Sequence, residues 1–189
     1  MRRLPGSVAL LLGLLLAAPV AAGPRLSELR GHLGVGYAKL LVTSAPGGSM
    51  SASGGLDYPL TQALRLGAEV GYDLLGSRTE ERGSLVGQLD YSLFETLALL
   101  HWSPERAGPI ERLSIGPGVF NARADLTSSG AAAFSDLPVE QTAAGAAMGL
   151  TLMSRKPAPV RLGFELAGRL VWLRKEDWSL LKGRVVVHY

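Results

Sequence analysis

The sequence contains no cysteine, so an exported domain made from it could not be held together by disulfide bonds. Neither sign of charge is in large surplus, because the formal net charge is only +3 and Arg2 and Arg3 contribute to it. The basic residues are scattered singly, which gives no support for nucleic-acid binding. Stability must therefore come from an apolar core, an oligomer or a membrane.

Long apolar runs are absent beyond residue 22, where none approaches the roughly 20 residues that a membrane-spanning helix needs. Glycine, by contrast, is abundant, with 24 residues. Inside a helix each glycine would cost about 1 kcal/mol relative to alanine, whereas in a small barrel glycine relieves crowding in the lumen. If the chain enters a membrane, we expect it to do so with strands.

The first residues have the pattern of a secretory signal peptide. Arg2 and Arg3 precede an apolar stretch at residues 8–16, and Val20-Ala21-Ala22 supplies small or modest residues for cleavage. The pattern predicts a signal peptide at residues 1–22 and a single domain at residues 23–189. An uncleaved anchor is the alternative.

The dominant period in that domain is two, which is typical of β-strands. Large apolar residues alternate with glycine and charged residues over residues 64–74, and similar alternation recurs at 29–41 and 161–172. Eight such segments can be counted, joined alternately by longer loops and shorter turns. The fold predicted is an all-β, eight-stranded antiparallel up-and-down transmembrane β-barrel.

Three parts of this pattern are irregular. The alternation becomes ambiguous at residues 94–96, which predicts a bulge, and residues 97–101 could form a helical turn instead of a strand. The alanine-rich strand predicted at 139–153 would also be compatible with a helix.

The longer outer loops are predicted at residues 44–49, 76–83 and 125–138.

The faces of the predicted strands favour a membrane barrel over a soluble, lipocalin-like barrel; a β-sandwich with the aromatic residues in its core is the other alternative. Charged residues share a face with glycine, as a narrow lumen requires, while leucine, valine and aromatic residues occupy the face that lipid would contact. Aromatic residues near predicted strand ends suggest interfacial girdles: Tyr58, Tyr72, Tyr91, Trp102, Trp172, Trp178 and Tyr189.

The charged residues on the predicted lumenal face form the best constellation in the sequence. Both signs are present in similar number, so we expect a salt-bridged, largely plugged lumen; a pore lining selective for small solutes is the alternative. The predicted network comprises Arg65, Glu69, Asp73, Asp90, Glu165, Arg169, Lys182 and Arg184.

The sequence offers no reactive constellation. His32 and His188 fall on lumenal faces of the first and last strands and could be close, but further metal ligands are not evident, so no metal or cofactor is predicted. A hydrolase would need a serine, a histidine and an orienting acid, and no His-x-Ser spacing occurs on any strand. We therefore predict no catalytic residues and no enzyme.

The end of the chain carries a resemblance to a known group of proteins. Tyr189 is aromatic, and Val187 and Val185 precede it on the same face, which looks like the terminal signal that the barrel-assembly machinery recognises. With the segments at 55–58 and 66–72, the chain resembles the small outer-membrane β-barrel proteins of the porin-like superfamily. Phenylalanine is commoner than tyrosine at the last position of that signal.

The resemblance implies a bacterial outer-membrane location after export, with outer-membrane lipid and the barrel-assembly machinery as partners and no nucleic acid. Members of the group differ in function, so the fold does not choose among them. We expect a structural or surface-interaction role. The alternatives are a narrow channel for small or amphipathic solutes and a lipid-active enzyme, and the sequence identifies no external ligand.

Overall fold

The computed structural model describes residues 28–42, 47–82, 85–104, 110–129, 139–153 and 160–189. The predicted signal peptide therefore lies outside the described residues. Eight antiparallel strands form one closed barrel, as the sequence predicts: β1 (Arg30–Leu40), β2 (Ser49–Pro59), β3 (Leu64–Arg82), β4 (Leu85–Trp102), β5 (Ile110–Ser129), β6 (Val139–Met153), β7 (Arg161–Val171) and β8 (Trp178–His188). Within the described ranges, no helix is long and apolar enough to cross a membrane.

Each strand pairs with the next along the chain, and β8 returns to pair with β1, where His32 lies opposite His188 and Leu40 opposite Leu180. Because β1 begins and β8 ends at the same rim, we call this rim the terminal end. The connections β2–β3, β4–β5 and β6–β7 also lie there. The opposite rim, where the other four connections lie, is the loop end.

The strands differ in length, and the extra length lies at the loop end. At the terminal end the strands are aligned, since Trp102 lies opposite both Leu64 and Leu113. β3, β4 and β5 have 19, 18 and 20 residues, against 11 in β1, β2, β7 and β8. These three strands therefore form a sheet that continues past the rest of the barrel.

This extended sheet corrects the loop predictions. Residues 76–82 belong to β3 and residues 125–129 to β5, while residue 49 begins β2; the remainder of the three predicted loops includes residues outside the described ranges. The sequence pattern is weak in these parts because residues 76–82 and 125–129 are mostly polar, so apolar and polar residues do not alternate along them. Backbone pairing between strands does not depend on that pattern.

The irregularity in β4 also lies elsewhere than predicted. The β4–β5 register is unbroken at Phe94, and residues 97–101 are extended rather than helical. The shift occurs in the β3–β4 ladder between Leu74 and Gly76, and Gly76 has φ 87°, a conformation that glycine adopts without strain. The bulge lies where the extended sheet leaves the barrel.

The outside of the barrel is apolar. Ile115 and Val35 are 63% and 62% exposed, and apolar side chains of similar exposure occur on all eight strands. Two of the aromatic residues predicted for interfacial girdles face inward instead, because Tyr91 and Trp178 pack edge to face, with 6.1 Å between ring centroids, against the apolar cluster inside the barrel. Large apolar side chains are thus found on both sides of the wall at the loop end.

Candidate functional site in the barrel lumen

The lumen is filled by different side chains at its two ends. Near the loop end, the inward positions carry large apolar residues that are at most 2% exposed and pack as one cluster. Since the strands are closed into a ring, these residues meet across the lumen and leave the polar groups on the terminal side. We call the following residues the apolar layer: Leu40, Leu75, Leu93, Phe120, Val171 and Leu180.

Beneath the apolar layer lies a chain of alternating carboxylates and cations. Starting at the terminal end, Arg112 donates to Asp57 at 2.7 Å and to Glu165 at 3.4 Å. Arg184 then joins Glu165 to Glu69, with its Nη1 2.9 Å from Glu69 Oε1. These five side chains are at most 4% exposed, so their charges are neutralised by one another rather than by water.

The chain continues towards the loop end through Arg169, which lies 3.2 Å from Glu69 and 3.0 Å from Glu95. Lys182 completes it, with its Nζ 2.8 Å from Glu95 and 2.5 Å from Asp73. Every strand except β1 and β6 contributes a charged group to this pairing. We call Glu69, Asp73, Glu95, Glu165, Arg169, Lys182 and Arg184 the charged layer.

At the terminal end the chain of contacts reaches two histidines, His101 and His32, and through them Ser114 and His188. His101 Nε2 lies 3.0 Å from Asp57 Oδ1, and His101 Nδ1 lies 2.7 Å from Ser114 Oγ. His32 lies 3.3 Å from Glu69 through Nε2 and stacks on His188 with ring centroids 5.4 Å apart. The predicted proximity of His32 and His188 is therefore observed.

The order Asp57, His101, Ser114 resembles the donor–acceptor order of a hydrolase triad. Sequence spacing did not reveal it, because the three residues come from β2, β4 and β5 rather than from one strand. All three are at most 9% exposed, and the β5 backbone at Ser114 is paired with β4 on one side and β6 on the other. Backbone amides engaged in ladders cannot form an oxyanion hole, so the arrangement fits a structural hydrogen-bond chain better than a nucleophile.

Glycines on the lumenal face make room for these polar side chains. A Cβ on Gly67 would overlap His101 and lie 2.8 Å from Asp57 Oδ1, and one on Gly71 would lie 2.7 Å from Glu95 Oε1. Neither position tolerates a methyl group without displacing a charged side chain. The abundance of glycine is in this way tied to the charged layer.

The predicted network residues fall into three groups. Six lie in the charged layer: Glu69, Asp73, Glu165, Arg169, Lys182 and Arg184. Arg65 is half-buried at the terminal end and makes no hydrogen bond or ion pair with another described residue. Asp90 lies outside this network: its side chain is exposed and accepts a hydrogen bond from Gln88 at 2.9 Å.

The position of Asp90 follows from the orientation of β4, which the sequence interpretation assigned the wrong way round. The buried inward side chains of this strand are Leu93, Glu95 and His101, so Leu89 and Tyr91 share the inward face and Asp90 points outward. The alternation on β4 gave the wrong orientation because leucine was assigned to the lipid-facing side, whereas the apolar layer has leucine inside the barrel.

Sequence reasoning missed three members of the lumenal set, Glu95, Asp57 and Arg112. Glu95 lies among apolar residues of both parities, so its face could not be assigned. Asp57 had a usable signal, since it alternates with Leu56 and Tyr58. Arg112 lies beside the register shift at the start of β5, where parity is lost.

No group of three or more histidine, cysteine, aspartate or glutamate residues in the described ranges is arranged to hold a metal ion. The contacts are instead those of guanidinium or ammonium groups with carboxylates. What the lumen can do chemically is hold opposite charges in fixed positions.

Comparison with known proteins locates this barrel among solved structures. No family model matches the chain, and no curated protein sequence matches it. The crystal structure of Neisserial surface protein A superposes with a TM-score of 0.61 at 13% identity, covering 85% of this chain and 96% of that one.

Two further outer-membrane proteins give similar coverage. The attachment invasion locus protein Ail of Yersinia pestis, solved with the heparin analogue sucrose octasulfate, has a TM-score of 0.56 at 12% identity, with 86% and 99% coverage. A major outer membrane protein of Thermus thermophilus has a TM-score of 0.50 at 10% identity, with 85% and 99% coverage. The chain has the fold of the small, eight-stranded outer-membrane β-barrel proteins.

Proposed function

We propose that this chain is exported by its signal peptide and spans the bacterial outer membrane as a structural or surface-interaction barrel with a closed lumen. The observation that carries the proposal is the combination of an apolar exterior with a lumen filled by paired charges. An apolar wall that is exposed around the whole barrel requires lipid, because contact between so much apolar surface and water is unfavourable. The folds of the compared proteins support the same location.

Insertion would involve the barrel-assembly machinery, for which Val185, Val187 and Tyr189 form the proposed signal. Val185 and Tyr189 are 51% and 58% exposed on the outside of β8. That exposure leaves both side chains accessible to another protein before lipid covers them.

A closed lumen is favoured over a channel for small or amphipathic solutes. Eight strands leave an interior only just wide enough for side chains. Here the apolar layer fills the loop end and the charged layer fills the middle, and the described residues of both are almost fully buried. Both would have to rearrange before a solute passed.

The surface-interaction part of the proposal rests on the extended sheet of β3, β4 and β5. Outer-membrane barrels place short turns in the periplasm and their longer connections outside the cell, which orients the loop end outward. The extended sheet would then project from the cell surface. Exposed polar contacts lie near its base, where Asn121 of β5 donates to Glu140 of β6 and Arg123 pairs with Asp125.

Cysteine labelling tests this orientation directly, because the chain has no native cysteine. Ser77→Cys, on the extended sheet, should react with a membrane-impermeant maleimide on intact cells. Thr61→Cys, in the β2–β3 connection, should react only after the outer membrane is permeabilised. The reverse pattern would contradict the orientation, and labelling of both on intact cells would contradict a membrane-spanning barrel.

Conductance tests the closed lumen. The protein refolded into planar bilayers should give no stable single-channel steps. Steps that disappear on substitution of Glu69 or Arg169 would overturn the closed lumen in favour of the channel.

A further inference from the structure

The terminal end of the lumen carries more positive than negative charge. The described cations there are Arg30, Arg65, Arg112 and Arg161, against the carboxylates of Glu28, Asp57 and Glu111. Deeper in the barrel the balance is reversed, because the charged layer has four carboxylates and three cations, and Arg112 contributes to that layer through Glu165. The excess of cations is thus confined to the rim.

Some hydrogen-bond donors at this rim are without partners. Arg112 is 3% exposed, and its Nε makes no hydrogen bond within the part of the chain that the structure describes. Nε2 of His188 is likewise buried and without a partner among the described residues, and it is a donor in the tautomer that carries the proton on Nε2. A guanidinium N–H that has lost water without gaining an acceptor is costly, so an acceptor from outside the chain would relieve that cost.

These groups lie close together. His188 stacks on His32, whose Nδ1 lies 3.8 Å from Asp57 Oδ2, the atom to which Arg112 donates at 2.7 Å. Arg65 lies opposite His101 in the β3–β4 register, and His101 Nε2 lies 3.0 Å from the Asp57 carboxylate to which Arg112 donates. The rim is also reachable, since burial falls from the almost fully buried Arg112 to the half-buried Arg65 and His188 and the exposed Arg30.

From this arrangement we propose that the terminal rim is an anion site, built by Arg65, Arg112 and His188, that binds a phosphate group. A tetrahedral oxyanion presents several acceptors to N–H donors that converge from β3, β5 and β8, and guanidinium groups match phosphate geometry well. The phosphate has two possible sources, a free phosphate compound or the headgroup of a phospholipid at the inner face of the membrane.

The test uses the refolded full barrel in a neutral detergent, with inorganic phosphate titrated by calorimetry against chloride at equal ionic strength. Arg65→Gln should weaken phosphate binding at least about tenfold, because one charge-assisted contact is lost. Arg65 forms no ion pair within the described structure, so this variant should still fold. Arg174→Gln, which removes the same charge from an exposed position at the loop end, should bind phosphate as the parent does.

His188→Phe is the second variant, since it keeps an aromatic ring for stacking on His32 but removes Nε2. It should also weaken phosphate binding, with an unchanged unfolding midpoint in the absence of phosphate. The proposal is overturned if the parent binds phosphate no better than chloride, or if Arg174→Gln weakens binding as much as Arg65→Gln does.

A competition arm separates the two sources. If lyso-phosphatidylglycerol displaces phosphate at a lower concentration than glycerol phosphate does, the occupant is a lipid headgroup. If glycerol phosphate competes equally well, the occupant is a free phosphate compound. Failure of both to compete, with inorganic phosphate bound, would overturn a site for phosphate esters.

Discussion

The apolar layer and the charged layer close the same lumen by different physics. In the apolar layer each side chain contributes mainly its own buried surface and its packing. In the charged layer each side chain depends on its neighbours, since Glu69 alone contacts Arg169, Arg184 and His32. Loss of an apolar residue should leave a cavity, whereas loss of a charged residue leaves several partners unbalanced.

The two layers also support one another. The apolar layer keeps water from the loop end of the lumen, and the attraction between opposite charges strengthens as water is excluded. In return, the charged layer fixes side-chain positions through directional contacts from four strands, β3, β4, β7 and β8. The following substitutions distinguish these contributions.

The largest effect is expected for Glu69→Leu, which has a similar volume but no charge. It leaves Arg169 with one carboxylate partner and Arg184 with one, both in a buried environment. Removing one member of a buried ion pair costs about 3–5 kcal/mol. The free energy of unfolding, measured by urea titration in phospholipid vesicles, should fall by that amount.

Asp90→Leu is the matched control for that variant. Asp90 is exposed and accepts only the hydrogen bond from Gln88 among the described residues, so the free energy of unfolding should change by no more than about 0.5 kcal/mol. Equal losses in the two variants would mean that the charged layer does not stabilise the barrel through its pairing.

A somewhat smaller loss is expected in the apolar layer. Leu93→Ala removes a fully buried side chain and should cost about 2–5 kcal/mol, depending on how far the neighbours collapse. Leu33→Ala makes the same chemical change on the outer wall, where the side chain is 55% exposed, and should cost less. If unfolding titrations give the two variants the same stability, the apolar layer is not a packed core.

The glycines give a third comparison. Gly67→Ala forces a Cβ against His101 and Asp57 and should destabilise by about 1–3 kcal/mol. Gly149→Ala, also on the lumenal side, meets nothing closer than 3.7 Å and should be neutral or slightly stabilising. Urea midpoints of the two variants check this, and a neutral Gly67→Ala would show that His101 can move aside.

The sequence predicts the lumenal residues of a strand only where inward and outward residues alternate regularly in character along it. On β3 as far as Leu74, on β7 and around Arg184 of β8, charged or small residues alternate closely with larger apolar ones. The sequence therefore places Glu69, Arg169 and Arg184 on the inward face, where the structure has them. On β4 this alternation fails, because leucine lies inside at Leu93 and outside at Leu100, where it is 42% exposed. Hydrophobicity alone cannot distinguish a lipid-facing leucine from one in the apolar layer.

Contacts between strands were less accessible to sequence reasoning than the strands themselves. The hydrogen bond between His101 and Ser114 depends on the β4–β5 register, in which these two residues are opposite each other. Register depends on the hydrophobic pattern of the two strands and on turn geometry, and the pattern on β4 is ambiguous because leucine lies on both of its faces. The extended sheet was missed for a related reason, since residues 76–82 and 125–129 are mostly polar and show no apolar period of two.

The boundary between the layers provides the prediction with the smallest effect. Asp73 and Lys182 pair at 2.5 Å, and Asp73 lies opposite Leu93 of the apolar layer. Replacing both as Asp73→Leu with Lys182→Met removes one charge of each sign, so the remaining charges stay as balanced as before. Buried ion pairs replaced by apolar residues of similar size are often close to neutral in stability, whereas either single substitution leaves an unpaired charge.

A double-mutant cycle on unfolding free energies should therefore show the double variant to be more stable than either single variant, with a coupling energy of about 0.5–3 kcal/mol. Lys182 also contacts Glu95, which keeps Arg169 as a partner in the double variant. If the losses of the two single variants simply add, Lys182 is held chiefly by Glu95. The charged layer would then end at Lys182, and the pairing of Asp73 would contribute no stability to either layer.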